Sequence, residues 1–285
     1  MIFISTGCSK EKTITSAIEE ISQWGFRNIE LTGGLKKEEN LLELLVKLKD
    51  KHSVNLQCHN YFPPPEKSFV INLSGSDEIQ SKSISLINES MLIGKEIGVG
   101  LYGVHAGFRL DPSVDRLGKA FDNSNLIEMT VAEDRMMQNY GSLLGLAEEC
   151  SIDLQIENNV FSDANKRTFN GNNPFLLCSF SDYERLRMQK PFKVLLDTGH
   201  LKVSCQSLGL DFEQELLNFL KVTDYIHVSD NNGLADQNNG LKKNSELFSI
   251  LKNLKDDFNP KCVTLEVYDG YDSVKESFDC VSELL

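Results

Sequence analysis

The sequence predicts an α/β protein with one domain, a (β/α)8 TIM barrel running from residue 1 to residue 285. Three observations predict it. Short apolar or alternating runs recur eight times, segments with helical spacing of apolar residues separate them, and a length of 285 residues suits eight such units closed into one barrel.

In chain order the strand candidates are Ile2–Ser5, Asn28–Leu31, Asn55–His59, Leu101–His105, Ile152–Glu157, Lys193–Asp197, Tyr225–Val228 and Val263–Val267. The intervening stretches place apolar side chains on one stripe: Ile14, Ala17, Ile18 and Ile21 in the first, Met136, Tyr140, Leu143 and Ala147 in a later one. The same spacing returns in Phe212–Leu220, in Leu247–Leu254 and in the final segment with Val274, Phe278 and Val281. That final helix is expected to open on a capping-box pattern, Ser273-x-x-Glu276. The polar segment from Phe161 to Pro191 reads as a loop with a short helix over one barrel mouth. Strict alternation implies parallel neighbours joined by helical crossovers. An open doubly wound sheet is the rival, but no G-x-G-x-x-G or G-x-x-x-x-G-K-[ST] follows the first strand.

Composition narrows the function classes. With 40% hydrophobic residues, 25% charged and 7 prolines, the chain can bury a substantial core, which excludes disorder and fibrous architectures. The balance of 29 basic against 42 acidic side chains gives a net charge of -13, which repels a phosphate backbone and argues against general nucleic-acid binding. Seven scattered cysteines without a C-x-x-C pair fit reduced thiols, so the expected compartment is the cytoplasm. Met1-Ile-Phe-Ile-Ser is too short for a signal peptide and no apolar stretch approaches about 18 residues, so no membrane partner is expected.

Position makes the titratable residues informative. Four of the five histidines, His59, His105, His200 and His227, sit at or just past the carboxyl ends of predicted strands. The acids Glu157, Asp197 and Glu266 stand in apolar surroundings at the same ends. In the last strand Thr264, Glu266 and Tyr268 alternate against Val263, Leu265 and Val267, so Glu266 points into the barrel mouth. One histidine at a strand end is more often a structural hydrogen-bonding group than a ligand. A set of acids and imidazoles converging on one mouth is different, because crowded carboxylates repel unless a positive centre intervenes. Mixed oxygen and nitrogen donors suit Mn²⁺, Co²⁺, Zn²⁺ or Mg²⁺, the expected cofactor. Alternation turns Cys58 away from His59 and into packing, and Asp230–Gly240 reads as a surface loop whose Asp230 and Asp236 are near enough to line the mouth.

Taken in order, His59-Asn-Tyr, His105-Ala-Gly, Glu157-Asn-Asn, Asp197-Thr-Gly-His200, His227-Val-Ser-Asp230 and Glu266-Val-Tyr resemble the xylose isomerase-like TIM-barrel superfamily, which holds sugar-phosphate isomerases and epimerases and endonucleases of the endonuclease IV type. The resemblance implies that Glu157, Asp197, His227 and Glu266 hold the shared metal. It implies that His200 contacts substrate, that His59 and His105 match positions of an additional metal in the endonucleases, and that the chain forms a homo-oligomer. A departure follows the seventh strand: where the family often carries Asp-x-His, this chain has Asp236-Gln-Asn238, which removes one imidazole from a third metal site.

The leading expectation is a metal-dependent isomerase or epimerase of a small sugar, sugar phosphate or polyol. Glu157 and Glu266 would exchange the proton beside a metal-polarised carbonyl, while His200, His59, His105, Asn158 and Asn159 would position hydroxyls. For a phosphate, Gly270 with the start of the last helix, and Lys242 and Lys243, are the candidates. Two alternatives stand beside it: metal-dependent phosphodiester hydrolysis on abasic DNA, and a catalytically silent sugar- or metal-binding barrel.

Overall fold

The computed structural model describes residues 1–285. Eight parallel strands close on themselves in chain order: β1 (Ile2–Ser5), β2 (Asn28–Leu31), β3 (Asn55–His59), β4 (Leu101–His105), β5 (Asp153–Glu157), β6 (Lys193–Asp197), β7 (Tyr225–Val228) and β8 (Cys262–Leu265). The outer ring is built from α1 (Ile14–Gln23), α2 (Leu41–His52), α3 (Asp77–Ile97), α4 (Met129–Cys150), α5 (Asp163–Thr168), α6 (Phe180–Gln189), α7 (Thr198–Leu208), α8 (Phe212–Leu220), α9 (Glu246–Asn253) and α10 (Tyr271–Leu284). The chain is thus a single-domain (β/α)8 barrel, as its alternation of runs predicts. None of its helices is long and apolar enough to cross a membrane.

Side-chain alternation divides each strand between two environments. Ile4, Ile29, Leu56, Tyr102, Leu154, Val194, Ile226 and Val263 face outward and join the helices in the main core, where each is almost wholly buried. Cys58 belongs to that core too, on the face opposite His59. The inward residues form layers. Phe3, Leu195, Tyr225 and Cys262 fill the lower barrel, and above them lies a polar belt with Glu30, Gln57 and Thr264. All seven cysteines are buried and unbridged.

Three local details differ from the sequence reading. Strand β8 ends at Leu265 rather than Val267, because its last register pair with β1 is Ile4↔Leu265. Glu266 therefore lies one residue past the strand, still anchored by its N–H to the carbonyl of Val228 at 3.2 Å. Helix α10 starts at Tyr271 rather than at the Ser273 capping box: Gly270, with φ +91°, occupies the N-cap, a conformation that favours glycine and lets the helix begin earlier. The Phe161–Pro191 segment holds two helices rather than one. The region of α5 reaches the mouth through Ser162, Ala164 and Asn165, and Phe175 follows from the loop after it, while α6 packs in the outer ring against α4 and α8.

A candidate metal centre at the carboxyl end of the barrel

Register brings the site residues to one level. His105 pairs with Glu157 across β4 and β5, and Asp197 pairs with His227 across β6 and β7. Glu157 is fully buried, with Oε2 2.8 Å from His59 Nε2 and 3.1 Å from His105 Nε2. Gly103 makes room for this: a Cβ there would stand 2.9 Å from His59 Cδ2 and 2.5 Å from a Leu195 methyl, so any larger residue would displace the imidazole.

Asp197 gains its orientation from the helix that follows. As N-cap of α7 it accepts the His200 N–H at 2.7 Å through Oδ1, an arrangement worth about 0.5–2 kcal/mol elsewhere and here one that also fixes the carboxylate. Asn158 braces the same strand end. Its Oδ1 accepts from Asp197 N–H at 2.7 Å and its amide donates to Asp197 O at 3.1 Å. Alternation turns Asn158, expected among the substrate-binding residues, away from the side of Glu157, and both ends of its amide are engaged by Asp197. Asn159 does reach the cavity, but its amide is spent on the carbonyls of Ala106, Gly107 and Leu176.

His227 is held from beneath by a residue that the sequence reading did not single out. Glu30, fully buried on β2, accepts from Gln57 at 2.8 Å, from Thr264 at 2.7 Å and from the Tyr225 hydroxyl, and its Oε1 lies 3.1 Å from His227 Nε2. That leaves His227 Nδ1 facing upward, 3.6 Å from Glu157 Oε1 and 3.8 Å from Glu266 Oε1. A carboxylate behind an imidazole fixes which ring nitrogen faces a ligand and raises that nitrogen's basicity. The signal was present in Asn28-Ile-Glu-Leu, where Glu30 occupies an inward position of an otherwise apolar strand.

The upper cluster fits a cation. His59 Nδ1, Glu157 Oε1 and His227 Nδ1 are buried and have no hydrogen-bond partner. Ligand atoms converge within 4.8 Å in three overlapping groups: Glu157 with Asp197 and His227, His59 with His105 and Glu157, and Glu30 with His59, His227 and Glu266. Every basic group within 4.0 Å of Glu157, Asp197 or Glu266 is a histidine, so no Lys or Arg neutralises the acids. Burial pushes Glu266 up to about 7 against the pull of His227 and His59. It likewise raises Asp197 to about 6, opposed by His200 and reinforced by Glu157. Burial brings His105 down to about 4 despite Glu157, so its imidazole is neutral at pH 7. For His227 burial is outweighed by Glu30 and Glu266, which lift it to about 10. For Glu30 burial is outweighed by His227 and its hydrogen bonds, which hold it at about 2.

His200 completes the floor of the site. Its Nδ1 is 2.9 Å from the carbonyl of Asn158 and its Nε2 3.3 Å from Asp236, which also accepts from the Asn238 amide at 3.3 Å. The Asp230–Gly240 segment is therefore less of a surface loop than its composition suggests, since Asp230 and Asn231 are buried and Asp230 bridges to Asn239. The expected phosphate group does not assemble. Lys242, Lys243 and Gly270 lie outside the cavity lining, and Lys243 pairs with Glu283 at 2.7 Å. His52 stands apart on α2 beside Glu19.

Above the cluster opens a cavity of about 350 Å³, with His59, His105, His200, Asp236 and Glu266 on its floor. That volume lies at the lower end of the range of about 300–1,000 Å³ typical of small-molecule sites. Fold and site together define a (β/α)8 barrel with a buried acid–imidazole cluster, able to hold a metal, at its carboxyl-terminal mouth. A family model, the xylose isomerase-like TIM barrel, matches residues 18–284, and the chain belongs to that family. None of the curated proteins matches it by sequence. Among solved structures it is similar to a D-tagatose 3-epimerase-like protein (TM-score 0.73, 16% identity, covering 99% of this chain and 96% of that one). It is similar as well to an L-ribulose 3-epimerase (0.71, 12%, covering 100% and 94%) and to endonuclease IV from Thermus thermophilus (0.59, 15%, covering 99% of each).

Proposed function

We propose that the protein is a metal-dependent epimerase or isomerase of a small sugar or polyol, with Glu157, Asp197, His227 and Glu266 as the metal ligands. One observation carries this reading: two buried carboxylates, Glu157 and Glu266, lie against opposite nitrogens of His59, at 2.8 and 3.8 Å, beneath a cavity of sugar size with no Lys or Arg beside them. The L-ribulose 3-epimerase and the D-tagatose 3-epimerase-like protein named above share the fold, which supports this chemistry without assigning a substrate.

A divalent cation in this cluster would supply Lewis acidity, polarising a substrate carbonyl and acidifying the neighbouring C–H. The protein's own residues divide the remaining work. Glu266 lines the cavity, so its carboxylate is placed to take a proton from the substrate and return it. Against the effect of burial, His105 and His59 hold the Glu157 carboxyl well below the usual carboxylate range in the metal-free protein, so it stands ionised and ready to hold a cation. Its unpartnered Oε1 is the atom that would meet a substrate proton on the second face. His200, held at Nδ1 by the Asn158 carbonyl and at Nε2 by Asp236, fixes the position of the Asp236 carboxylate on the cavity floor, where a substrate hydroxyl would meet it.

The test is exchange of solvent deuterium into ketoses at the carbon beside the carbonyl. Exchange that requires added Mn²⁺, Co²⁺, Zn²⁺ or Mg²⁺ supports the assignment. Its absence across ketopentoses and ketohexoses, with metal bound, sinks it. A second reading, phosphodiester hydrolysis, draws on the group His59, His105 and Glu157, which offers a place for another ion. Cleavage of an abasic-site oligonucleotide is the outcome that would favour it. The net charge of -13 and the loss of an imidazole at Asn238 count against it.

A further inference from the structure

The cavity is polar on its floor and carbon-lined on one wall. The loops following β4 and β5 contribute Leu117, Phe108, Phe121, Val160 and Phe175 to that wall. Phe108, Phe121 and Phe175 stack on one another with ring centroids 5.0–5.8 Å apart and belong to an apolar cluster separate from the main core. A rigid aromatic cluster of this kind is a preformed surface for an apolar group.

The polar residues on this wall are already committed. Asn165 accepts the Phe121 N–H at 2.8 Å and donates to Lys119 O, while Ser162 caps α5 through the Asn165 N–H. Asn159 is spent on three carbonyls. The buried lining atoms without a hydrogen-bond partner, His59 Nδ1 and Asp236 Oδ1, belong to the floor with Glu266, and the Tyr268 hydroxyl enters from the loop after β8, away from the aromatic wall. Charge tells the same story. Lys119 is the one Lys or Arg among the lining residues, and its ammonium donates to Asp115 O in an exposed position. The loops after β7 and β8, where barrels often bind phosphate, bring Asp236 and Glu266 to the cavity instead of a cation.

We infer that the substrate meets the floor with adjacent oxygens and the aromatic wall with an uncharged, apolar end, as in a deoxysugar or a sugar bearing an alkyl substituent, and that terminal phosphate esters are excluded. This rests on the proposed epimerase reading and adds to it the character of the far end of the substrate. A hydroxyl laid on this wall loses water and finds no partner, and a phosphate loses more.

The experiment uses the wild-type protein loaded with Mn²⁺ and three probes: a 2-ketohexose, its 6-deoxy analogue and its 6-phosphate ester. Dissociation constants come from calorimetry and kcat/KM from deuterium exchange. The expected order is 6-deoxy tightest, by about tenfold or more over the parent, the scale on which an apolar pocket distinguishes a small substituent, with the phosphate ester weakest. Phe121→Lys should shift the binding ratio toward the phosphate. A phosphate ester that binds as well as the 6-deoxy compound overturns the inference, as does a parent sugar that binds more tightly than its deoxy analogue. The two failures separate: the expected binding order without exchange on any probe removes the epimerase reading and leaves the wall, whereas exchange with the order reversed removes the wall alone. Failure of all three probes to bind removes both.

Discussion

The two mouths of this barrel are built from the same eight strands and solve opposite problems. At the amino-terminal end, charges lie at the rim and are paired: Lys193 with Asp153, and Lys261 with Asp224 at 2.6 Å, while Gln155 donates to both acids. At the carboxyl-terminal end Glu157, Asp197 and Glu266 are buried among histidines, and three of the cluster's polar atoms have no partner. Partly exposed ion pairs contribute little, on the order of 0–1 kcal/mol each, and can be lost cheaply. Buried acids without Lys or Arg are costly, so a fold that keeps them has a use for them. The comparison teaches where stability and chemistry are kept apart in one sheet.

The largest expected effect lies at the carboxyl-terminal mouth. Glu266→Gln should lower the rate of proton exchange by about 10²- to 10⁴-fold at saturating metal and sugar. Exchange kinetics of the variant at wild-type rates would remove Glu266 as the base. Next in size is the support beneath the site: Glu30→Gln should weaken metal binding by about 10- to 100-fold, measured by calorimetry, because His227 loses the group that holds its Nε2 N–H. Unchanged affinity would show that Glu30 is only a packing residue.

The pH dependence sharpens the contrast further. The folded-state value of His227 is raised from 6.5 to about 10, so its contribution to metal-free stability is fully present below pH 6.5 and is lost as pH rises through about 10. Thermal melts of the metal-free protein should therefore fall between those limits, and saturating cation should flatten the fall, because a liganded imidazole nitrogen has already given up its proton. Equal slopes with and without metal would contradict the ligand assignment of His227. The smallest effect belongs to the other mouth. Lys261→Ala should leave the thermal melt and the metal affinity of the wild type unchanged in the same assays, because an exposed ion pair is screened by solvent.

Much of this was legible in the sequence for a physical reason. A closed parallel barrel forces apolar runs to alternate with amphipathic helices, and the residues ending each run must meet at one mouth. The convergence of His59, His105, Glu157, Asp197, His227 and Glu266 follows from that rule. What escaped lay one level away from it. Glu30 sits a layer below the mouth, and its importance comes from Tyr225, Thr264 and Gln57, residues distant in sequence. Asn158 is adjacent to Glu157 in sequence, yet alternation sends the two side chains to opposite sides, and its bracing of Asp197 depends on a partner distant in sequence. The start of α10 and the second helix between Phe161 and Pro191 depend on backbone conformation and tertiary packing, which composition does not encode.

Calorimetric titration of the metal-free protein with Mn²⁺, compared with Asp197→Asn and His227→Ala, tests the central claim most directly. Stoichiometric binding to the wild type, with protons released and affinity reduced by at least about tenfold in each variant, is the predicted result. A wild type that takes up no ion, or variants that bind as tightly as it does, would contradict it.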